Sequence, residues 1–411
     1  MKWFAYIALA FILASCASDI DIVIPTFDEK ESLLEKAKPL DTAAMNNSEG
    51  VYSLSQGNSS FGDSVVLKWN NGKPTILCGK NAAFFILDAG ELGDSIVFEG
   101  YWRYAYGSET GRARLAIPDG GGAKALLAGI MPSEIFIRGL TGTENGPLDK
   151  PVVMRFSRVV KPAQFLYHVI GHRGGARNSD LHPHSENSLE MIRFAERLGC
   201  TGVEIDVRLT KDSVPMLYHD ELMNTRLLRE DYLVGPFSDY YYGQIRKFAT
   251  LINGEEVPTF KDALETVLTE TKLSFVWIDI KTPDVVAAIT PIVQSYKKKA
   301  SDLGRNVTFL MGLPTDEIYN AYMALPTPRP DALCELDVDK VRESNARVWS
   351  PRWTLGTQLD LVRQMHAEGR RAFVWTLDVV SFITEFMRDG EFDGILTNYP
   401  NVVAYHYYMR K

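Results

Sequence analysis

Cysteine is scarce in this chain, and the few cysteines lie far apart. The 411 residues include only four, at Cys16, Cys78, Cys200 and Cys334, and none forms a Cys-x-x-Cys pair. This spacing argues against a disulfide framework and against a cysteine-based zinc site. We expect the last three to be buried thiols, which is the usual state of free cysteine.

Positive charge and long apolar runs are also lacking. Lysine and arginine total 44 against 52 aspartates and glutamates, which gives a net charge of −8. An extended nucleic-acid surface needs an excess of lysine and arginine, so no nucleic-acid partner is expected. The apolar stretch Trp3–Leu13 near the amino terminus is too short to predict a transmembrane helix.

The amino terminus has the pattern of a secretory signal. Met1-Lys2 precedes the short apolar stretch, and the stretch ends in Leu13-Ala-Ser-Cys16, which resembles the bacterial lipobox, where cleavage precedes a cysteine that is then lipidated. The alternative is a soluble-secretion signal with an incidental cysteine. We predict a lipid anchor at Cys16 that attaches the protein to a membrane of the bacterial cell envelope, at the outer membrane or its periplasmic face. The corresponding segments are a signal peptide over 1–15 and a polar tether over 16–47 with a short helix near 28–38.

Residues 48–160 follow a period of two, which indicates β-strands. Ser64–Trp69 and Lys73–Leu77 flank an Asn-Asn-Gly turn and predict a hairpin. Many short strands with regular turns favour a small antiparallel sandwich or barrel. The aromatic band over 98–106 can be core or a binding surface. Further strands are predicted at 83–87, 95–98, 101–104, 112–116, 135–137 and 152–156.

Residues 161–411 alternate between strand and helix patterns over the length of an eightfold barrel. The predicted fold class is therefore α/β, a TIM (β/α)8 barrel preceded by a small all-β domain. Nine strands are predicted, at 165–171, 202–208, 214–219, 274–280, 306–311, 331–336, 346–350, 371–377 and 393–397.

One of the nine strands is surplus to an eightfold barrel. The link between 202–208 and 214–219 is too short for a parallel crossover, so these two segments are predicted to form a hairpin. That pairing would bring His219 back beside Glu204 and Asp206. The long segment 221–258 has little periodicity and is predicted to be a lid or pocket wall.

Charged residues collect at the ends of these strands and suggest a metal-assisted phosphoester site. Glu204 and Asp206 alternate on one strand, so both side chains face the same side. A hard divalent cation relieves the repulsion between two such carboxylates, and oxygen ligands favour Mg²⁺ or Ca²⁺ over zinc. The alternative is that these acids pair with arginine or lysine across the barrel.

An ordered set of motifs resembles the glycerophosphodiester phosphodiesterase family over about 165–401. The motifs are His172-Arg-Gly174, Glu186-Asn-Ser188, Glu204-Ile-Asp206, His219-Asp220, Asp279-Ile-Lys281, Val374-Trp-Thr376 and Thr397-Asn-Tyr-Pro400. The resemblance implies a TIM barrel of the phosphatidylinositol phospholipase C type. Two positions depart from the family pattern: Asp279 stands where glutamate is usual, and Asn398 stands where aspartate is usual.

The resemblance also implies roles for individual residues. His172 and His219 correspond to the acid/base pair, a role that suits histidine because its pKa lies near 6.5. Arg173 and Lys281 would hold the phosphate, and Trp375 would line the substrate pocket. The implied metal ligands are Glu204, Asp206, Asp279 and Glu186.

The predicted activity is metal-dependent hydrolysis of a small-molecule glycerophosphodiester to an alcohol and glycerol 3-phosphate. In the family an adjacent substrate hydroxyl attacks phosphorus to give a cyclic phosphate, which water then opens. The alternatives are phospholipase C- or D-like action on lysophospholipid, sphingolipid or phosphoinositol headgroups, and a non-catalytic surface-binding lipoprotein. Between Gly174 and Glu186 the loop looks longer than usual, and its His182 and His184 are predicted to lie on a solvated or substrate-rim loop.

Overall fold

The computed structural model describes residues 24–160, 167–230 and 232–410. The predicted signal peptide, Cys16 and the first residues of the tether lie outside these ranges. Within them, no helix combines the length and apolar character needed to cross a membrane. Where a short helix was predicted near 28–38, the structure has only a single 3₁₀ turn at Leu34–Lys36, so that prediction was wrong.

The first half of the chain folds into a closed antiparallel barrel of eight strands. The predicted hairpin is confirmed, because the second strand pairs with the third across the Asn-Asn-Gly turn. Two strands predicted at 95–98 and 101–104 are one continuous strand, and the first strand was missed. The strands are β1 (Gly50–Gln56), β2 (Ser64–Asn70), β3 (Lys73–Cys78), β4 (Ala83–Leu92), β5 (Ser95–Tyr104), β6 (Thr110–Ile117), β7 (Phe136–Thr141) and β8 (Lys150–Arg158).

Every second side chain of these strands points into the antiparallel barrel and fills it, and three short helices belong to the same half of the chain. Its interior is packed with buried aromatic and aliphatic residues, among them Tyr52, Phe85 and Phe98. Aromatic residues of the 98–106 band, Phe98 and Trp102 among them, therefore contribute to the core. The helices are α1 (Thr42–Ser48), α2 (Asn58–Phe61) and α3 (Ala123–Leu127).

The second half is the predicted TIM barrel, which is confirmed. Eight parallel strands close through the pairing of the first with the second. They are β9 (His168–Gly171), β10 (Gly202–Leu209), β14 (Phe275–Ile280), β15 (Thr308–Leu313), β16 (Ala332–Cys334), β17 (Val348–Trp349), β18 (Arg371–Val374) and β19 (Gly394–Thr397). The surplus strand β11 (Pro215–Leu217) pairs antiparallel with β10, as the short link predicted.

Helices surround the parallel strands in the usual alternation, and an inserted segment follows β11. The inserted segment carries a small hairpin, β12 (Leu222–Met223) with β13 (Gly235–Pro236), and a helix, α5 (Tyr242–Phe248), over an apolar cluster of its own. The surrounding helices are α4 (Leu189–Ala195), α6 (Phe260–Glu270), α7 (Pro283–Asp302), α8 (Asp316–Met323), α9 (Val338–Glu343), α10 (Leu359–Ala367), α11 (Val380–Arg388) and α12 (Pro400–Met409).

The two barrels share a packed interface in which α12 lies against β2 and β3. The Asn401 side-chain amide donates to the Ala82 carbonyl oxygen at 2.8 Å, and the Tyr405 hydroxyl lies 3.3 Å from the Ser64 carbonyl oxygen. Apolar residues of both barrels belong to one buried cluster. The two barrels are thus packed directly against each other through a shared apolar interface.

Candidate active site

The predicted site residues meet at the carboxyl-terminal ends of the TIM-barrel strands. Parallel strands all end at the same rim, and TIM-barrel sites are built there. Glu204 and Asp206 lie on β10, and Asp206 is in register with Asp279 of the neighbouring β14. Residues that follow the other strand ends complete the rim: His172 and Arg173 after β9, His219 after β11, Lys281 after β14, Trp375 after β18 and Asn398 after β19.

Three carboxylates form a compact acidic cluster in this mouth. One oxygen from each of Glu204, Asp206 and Asp279 lies within 4.8 Å of the others. The Glu204 Oε1 atom is buried and has no hydrogen-bond partner within the described residues. Burial, reinforced by the other two carboxylates, raises the pKa of Glu204 well above its ordinary value. A buried, unpartnered carboxylate oxygen among three acids fits a hard divalent cation with oxygen ligands.

Lys281 offsets part of this negative charge. Its ammonium nitrogen lies 2.5 Å from Asp206 Oδ1 and 2.6 Å from Asp279 Oδ2. The two carboxylates raise the pKa of Lys281, so the side chain stays charged despite its burial. Pairing with a basic side chain therefore holds for two of the acids, whereas no lysine or arginine side chain among the described residues forms an ion pair with Glu204.

Asn187 fixes the orientation of Asp206. Its amide donates to Asp206 Oδ2 at 2.6 Å, and its carbonyl oxygen accepts from the Asp206 backbone N–H at 3.1 Å. Asn187 does not cap the helix that follows it. That task falls to Ser188, whose hydroxyl accepts from the Met191 N–H.

Arg173 links the acidic cluster to a histidine. Its backbone N–H donates to Glu204 Oε2 at 2.7 Å, and its guanidinium donates to Glu186 Oε1 at 2.9 Å and to His219 Nε2 at 2.8 Å. The backbone at Arg173 lies in the left-handed region, with φ of 54°. This conformation turns the N–H inward while the side chain crosses the mouth.

Glu186 lies outside the group of three carboxylates that can share one ion. Both of its oxygens accept from Arg226, at 3.1 and 3.0 Å, in addition to its contact with Arg173. The Asn178 backbone N–H also donates to it, at 3.0 Å. The structure therefore places this predicted metal ligand between two arginines, where it orients the Arg173 guanidinium.

His219 returns to the site through the β10–β11 hairpin. Because the Arg173 guanidinium can only donate, His219 Nε2 is the acceptor, and Nδ1 carries the proton that is donated to Asp220 Oδ1 at 2.7 Å. Arg226 and Asn224 hold the Asp220 carboxylate from the inserted segment. The beginning of the inserted segment therefore borders the mouth through these two side chains.

His172 is supported from the opposite side by a chain of hydrogen bonds. Its Nδ1 lies 2.7 Å from Asn398 Oδ1, and the Asn398 amide donates to Asp378 Oδ2 at 2.6 Å. Since that amide is engaged, its oxygen accepts from His172, which leaves Nε2 unprotonated and 3.8 Å from Glu204 Oε2. Burial and the neighbouring Arg173 lower the pKa of His172 to about 3.

Asn398 and Asp378 explain one departure from the family pattern. An asparagine both donates and accepts, so it connects a carboxylate to a neutral imidazole. The sequence reasoning missed Asp378, although it lies three residues beyond Trp375 on the same strand end.

Trp375 forms another part of the rim. Its indole N–H donates to the Ser350 carbonyl oxygen at 2.8 Å, and the Arg352 guanidinium lies 4.8 Å from the ring centroid. Its ring packs against the interior layer of the barrel. The indole is therefore held in one orientation.

The two histidines of the long loop do not form a metal site with the acidic cluster. His182 is buried, with its ring 5.9 Å from the ring of Phe84 in the antiparallel barrel. His184 Nδ1 lies 3.6 Å from Glu255. Of the predicted solvated or substrate-rim loop, the first alternative is therefore wrong for His182, and the second stays a prediction.

Fold and site together define a TIM-barrel protein whose mouth holds a candidate cation site and two oriented histidines. Residues 172–402 match the model of the glycerophosphoryl diester phosphodiesterase family, and this chain belongs to that family. Human glycerophosphodiester phosphodiesterase 1 is 34% identical over 122 residues, which cover 28% of this chain and 34% of that protein. The match thus spans about a third of the length of this curated relative.

Two solved structures of similar proteins each cover somewhat more than half of this chain. A glycerophosphodiester phosphodiesterase from Parabacteroides distasonis has 21% identity and a TM-score of 0.47, covering 59% of this chain and 96% of its own. An Oleispira antarctica phosphodiesterase, solved in complex with the product sn-glycerol-3-phosphate, has 17% identity and a TM-score of 0.45. It covers 58% of this chain and 95% of its own.

Proposed function

We propose that the protein hydrolyses glycerophosphodiesters to an alcohol and glycerol 3-phosphate with the help of a divalent cation. The observation that carries this proposal is the cluster of Glu204, Asp206 and Asp279, with an unpartnered Glu204 oxygen and with His172 and His219 each held in one orientation at the same mouth. Family membership supports the same reaction class.

The three carboxylates would hold Mg²⁺ or Ca²⁺. When bound, such an ion neutralises charge on the phosphoryl oxygens and polarises the phosphorus centre. Lys281 and Arg173 add fixed positive charge beside the cluster. A phosphate in the mouth would take over donors of the Arg173 guanidinium that now reach His219, because a charged phosphate oxygen is the stronger acceptor.

The two histidines suit different proton transfers. His172 is neutral with Nε2 unprotonated, so it can accept the proton of an attacking hydroxyl on the substrate. His219 has Asp220 on its other nitrogen, and that carboxylate stabilises the imidazolium that donates a proton to the leaving alkoxide. The cyclic phosphate formed in this way is opened by water with the two roles exchanged. Trp375 is placed to pack against the apolar part of the substrate.

A panel assay tests this function. With Mg²⁺ or Ca²⁺, the purified protein is expected to release glycerol 3-phosphate from glycerophosphocholine, glycerophosphoethanolamine or glycerophosphoinositol. A chelator should abolish the release, and added cation should restore it. Lysophosphatidylcholine, lysosphingomyelin and phosphatidylinositol serve as further arms, and turnover of one of these alone would replace the proposed substrate class. No turnover in any arm would refute the enzymatic proposal.

We also propose that the chain is a lipoprotein anchored through Cys16 to the bacterial cell envelope. The support is the order of Lys2, the apolar stretch and the lipobox-like Leu13-Ala-Ser-Cys16. In a bacterial expression host, the wild type is expected to incorporate labelled palmitate and to sediment with membranes. The Cys16→Ser variant should lose the label and leave the membrane fraction. Cys78 is a buried thiol, so the Cys78→Ser variant should keep both the label and the membrane association. Equal labelling of wild type and Cys16→Ser would contradict the anchor.

A further inference from the structure

The antiparallel barrel reaches the active-site mouth from the end of β5 and the loop that follows. Tyr106, at the end of the aromatic band, does not belong to the apolar core of this barrel. Two side chains make the contacts: Tyr106 meets the loops after β18 and β19, and Arg103 meets the long loop between β9 and α4.

Tyr106 touches the support of His172 at two points. Its hydroxyl donates to the Asp378 backbone carbonyl oxygen at 2.7 Å. Its ring packs edge-on against Tyr399, with centroids 4.7 Å apart. Tyr399 directly follows Asn398, so Tyr106 contacts the loops of both residues in the hydrogen-bond chain to His172.

Arg103 fixes the opposite side of the mouth. It is 4% exposed, and its guanidinium donates to the Leu181 carbonyl oxygen. The neighbouring His182 packs on Phe84 of β4. This loop continues to Glu186, which orients Arg173, so the phosphate-binding arginine is also braced by the antiparallel barrel.

We propose that the antiparallel barrel is a positioning element of the active site and that Tyr106 is its principal contact. The hydroxyl fixes the Asp378 loop, and Asn398 passes that placement to His172 by determining which ring nitrogen carries the proton. Its catalytic meaning rests on the proposed function, whereas the effect on the His172 ring does not. Tyr106 does not touch reacting atoms, so its loss acts on kcat and leaves KM nearly unchanged.

Tyr106→Phe tests this role, because it removes the hydroxyl and keeps the ring on Tyr399. The kcat for glycerophosphodiester hydrolysis is expected to fall about fivefold, the value of one ordinary hydrogen bond, with KM within about twofold. Tyr104→Phe is the matched control, since the Tyr104 hydroxyl has no hydrogen bond to any described residue. It should leave kcat unchanged, and neither variant should alter the melting temperature by more than a few degrees.

The pathway is tested in an Asn398→Ala background, where the link to His172 is missing. There, Tyr106→Phe should change kcat by less than about twofold, because the two residues act through one chain of contacts. Fully additive losses, or a loss equal to that of Tyr104→Phe, would overturn the proposal.

A readout without substrate separates this inference from the proposed function. In protein labelled with ¹⁵N-histidine, the signals lost in His172→Asn identify that ring among the seven histidines. The wild type should show a single tautomer protonated at Nδ1, and Tyr106→Phe should show a mixture. A mixture in a protein that hydrolyses none of the diesters would uphold the positioning role and refute the enzymatic function. An unchanged tautomer in Tyr106→Phe would overturn the positioning role.

Discussion

Glu204→Gln is expected to abolish cation-dependent hydrolysis, with kcat/KM falling by at least about a thousandfold. Lys281 contacts the other two clustered acids, whereas Glu204 Oε1 is buried without a hydrogen-bond partner among the described residues, so its charge is available to an ion. A bound ion stabilises the phosphoryl group by several kcal/mol, and each ~1.4 kcal/mol is a tenfold change in rate. Steady-state kinetics and calorimetric titration with Mg²⁺ and Ca²⁺ measure the two effects.

The matched control for this prediction is Glu196→Gln. Glu196 is also a buried glutamate of the TIM barrel, but its carboxylate accepts from the Lys272 backbone N–H at the other end of β10. It should retain both activity and cation binding. Unchanged cation affinity in Glu204→Gln would contradict the assignment of the cluster as the ion site.

His219→Ala is expected to lower kcat by about 10²- to 10⁴-fold on natural diesters, the range for a general acid. The loss should shrink markedly with a glycerophosphodiester of p-nitrophenol, because that leaving group departs without a proton. His172→Ala should be impaired on both substrates, since a base is needed whichever group leaves. Comparing the two variants on the two substrates therefore assigns the acid and the base.

The control for the histidine prediction is His366→Ala. The His366 Nε2 lies 2.8 Å from an Asp393 carboxylate oxygen, so it forms the same type of pair on the outside of the barrel. Its removal should leave kcat unchanged with both leaving groups. Equal losses for His219→Ala on both substrates would contradict its role as the acid.

The sequence predicted the TIM barrel well because each parallel strand is a short buried apolar run between amphipathic helices. β10 is the clearest case: its period and the short link after it predicted both the shared face of Glu204 and Asp206 and the returning His219. In the antiparallel barrel, β5 was divided at Gly100, because glycine usually weakens a strand. In the structure, a side chain at Gly100 would collide with the Ile86 carbonyl oxygen. Glycine is therefore the residue that fits at this position of β5, and the strand continues through it.

The parts that sequence could not predict depend on contacts between distant segments. Glu186 looks like any other acid in a loop before a helix, and only the fold shows that Arg226, 40 positions away, donates to both of its oxygens. Nothing in the sequence near Asp378 predicts a site role, because its partner Asn398 lies 20 positions further along the chain. Tyr106 belongs to an aromatic band typical of a core, and its contact with a carbonyl group 272 positions later follows from no local pattern.

The last helix has a consequence for biosynthesis. Helix α12 covers Val66 and Leu77 on the outside of the antiparallel barrel. It also packs against β9 and β19, the first and last parallel strands of the TIM barrel. During synthesis, both apolar surfaces stay uncovered until helix α12 has been made. The packing of each barrel is therefore completed by the same helix, so the two halves finish folding in one step.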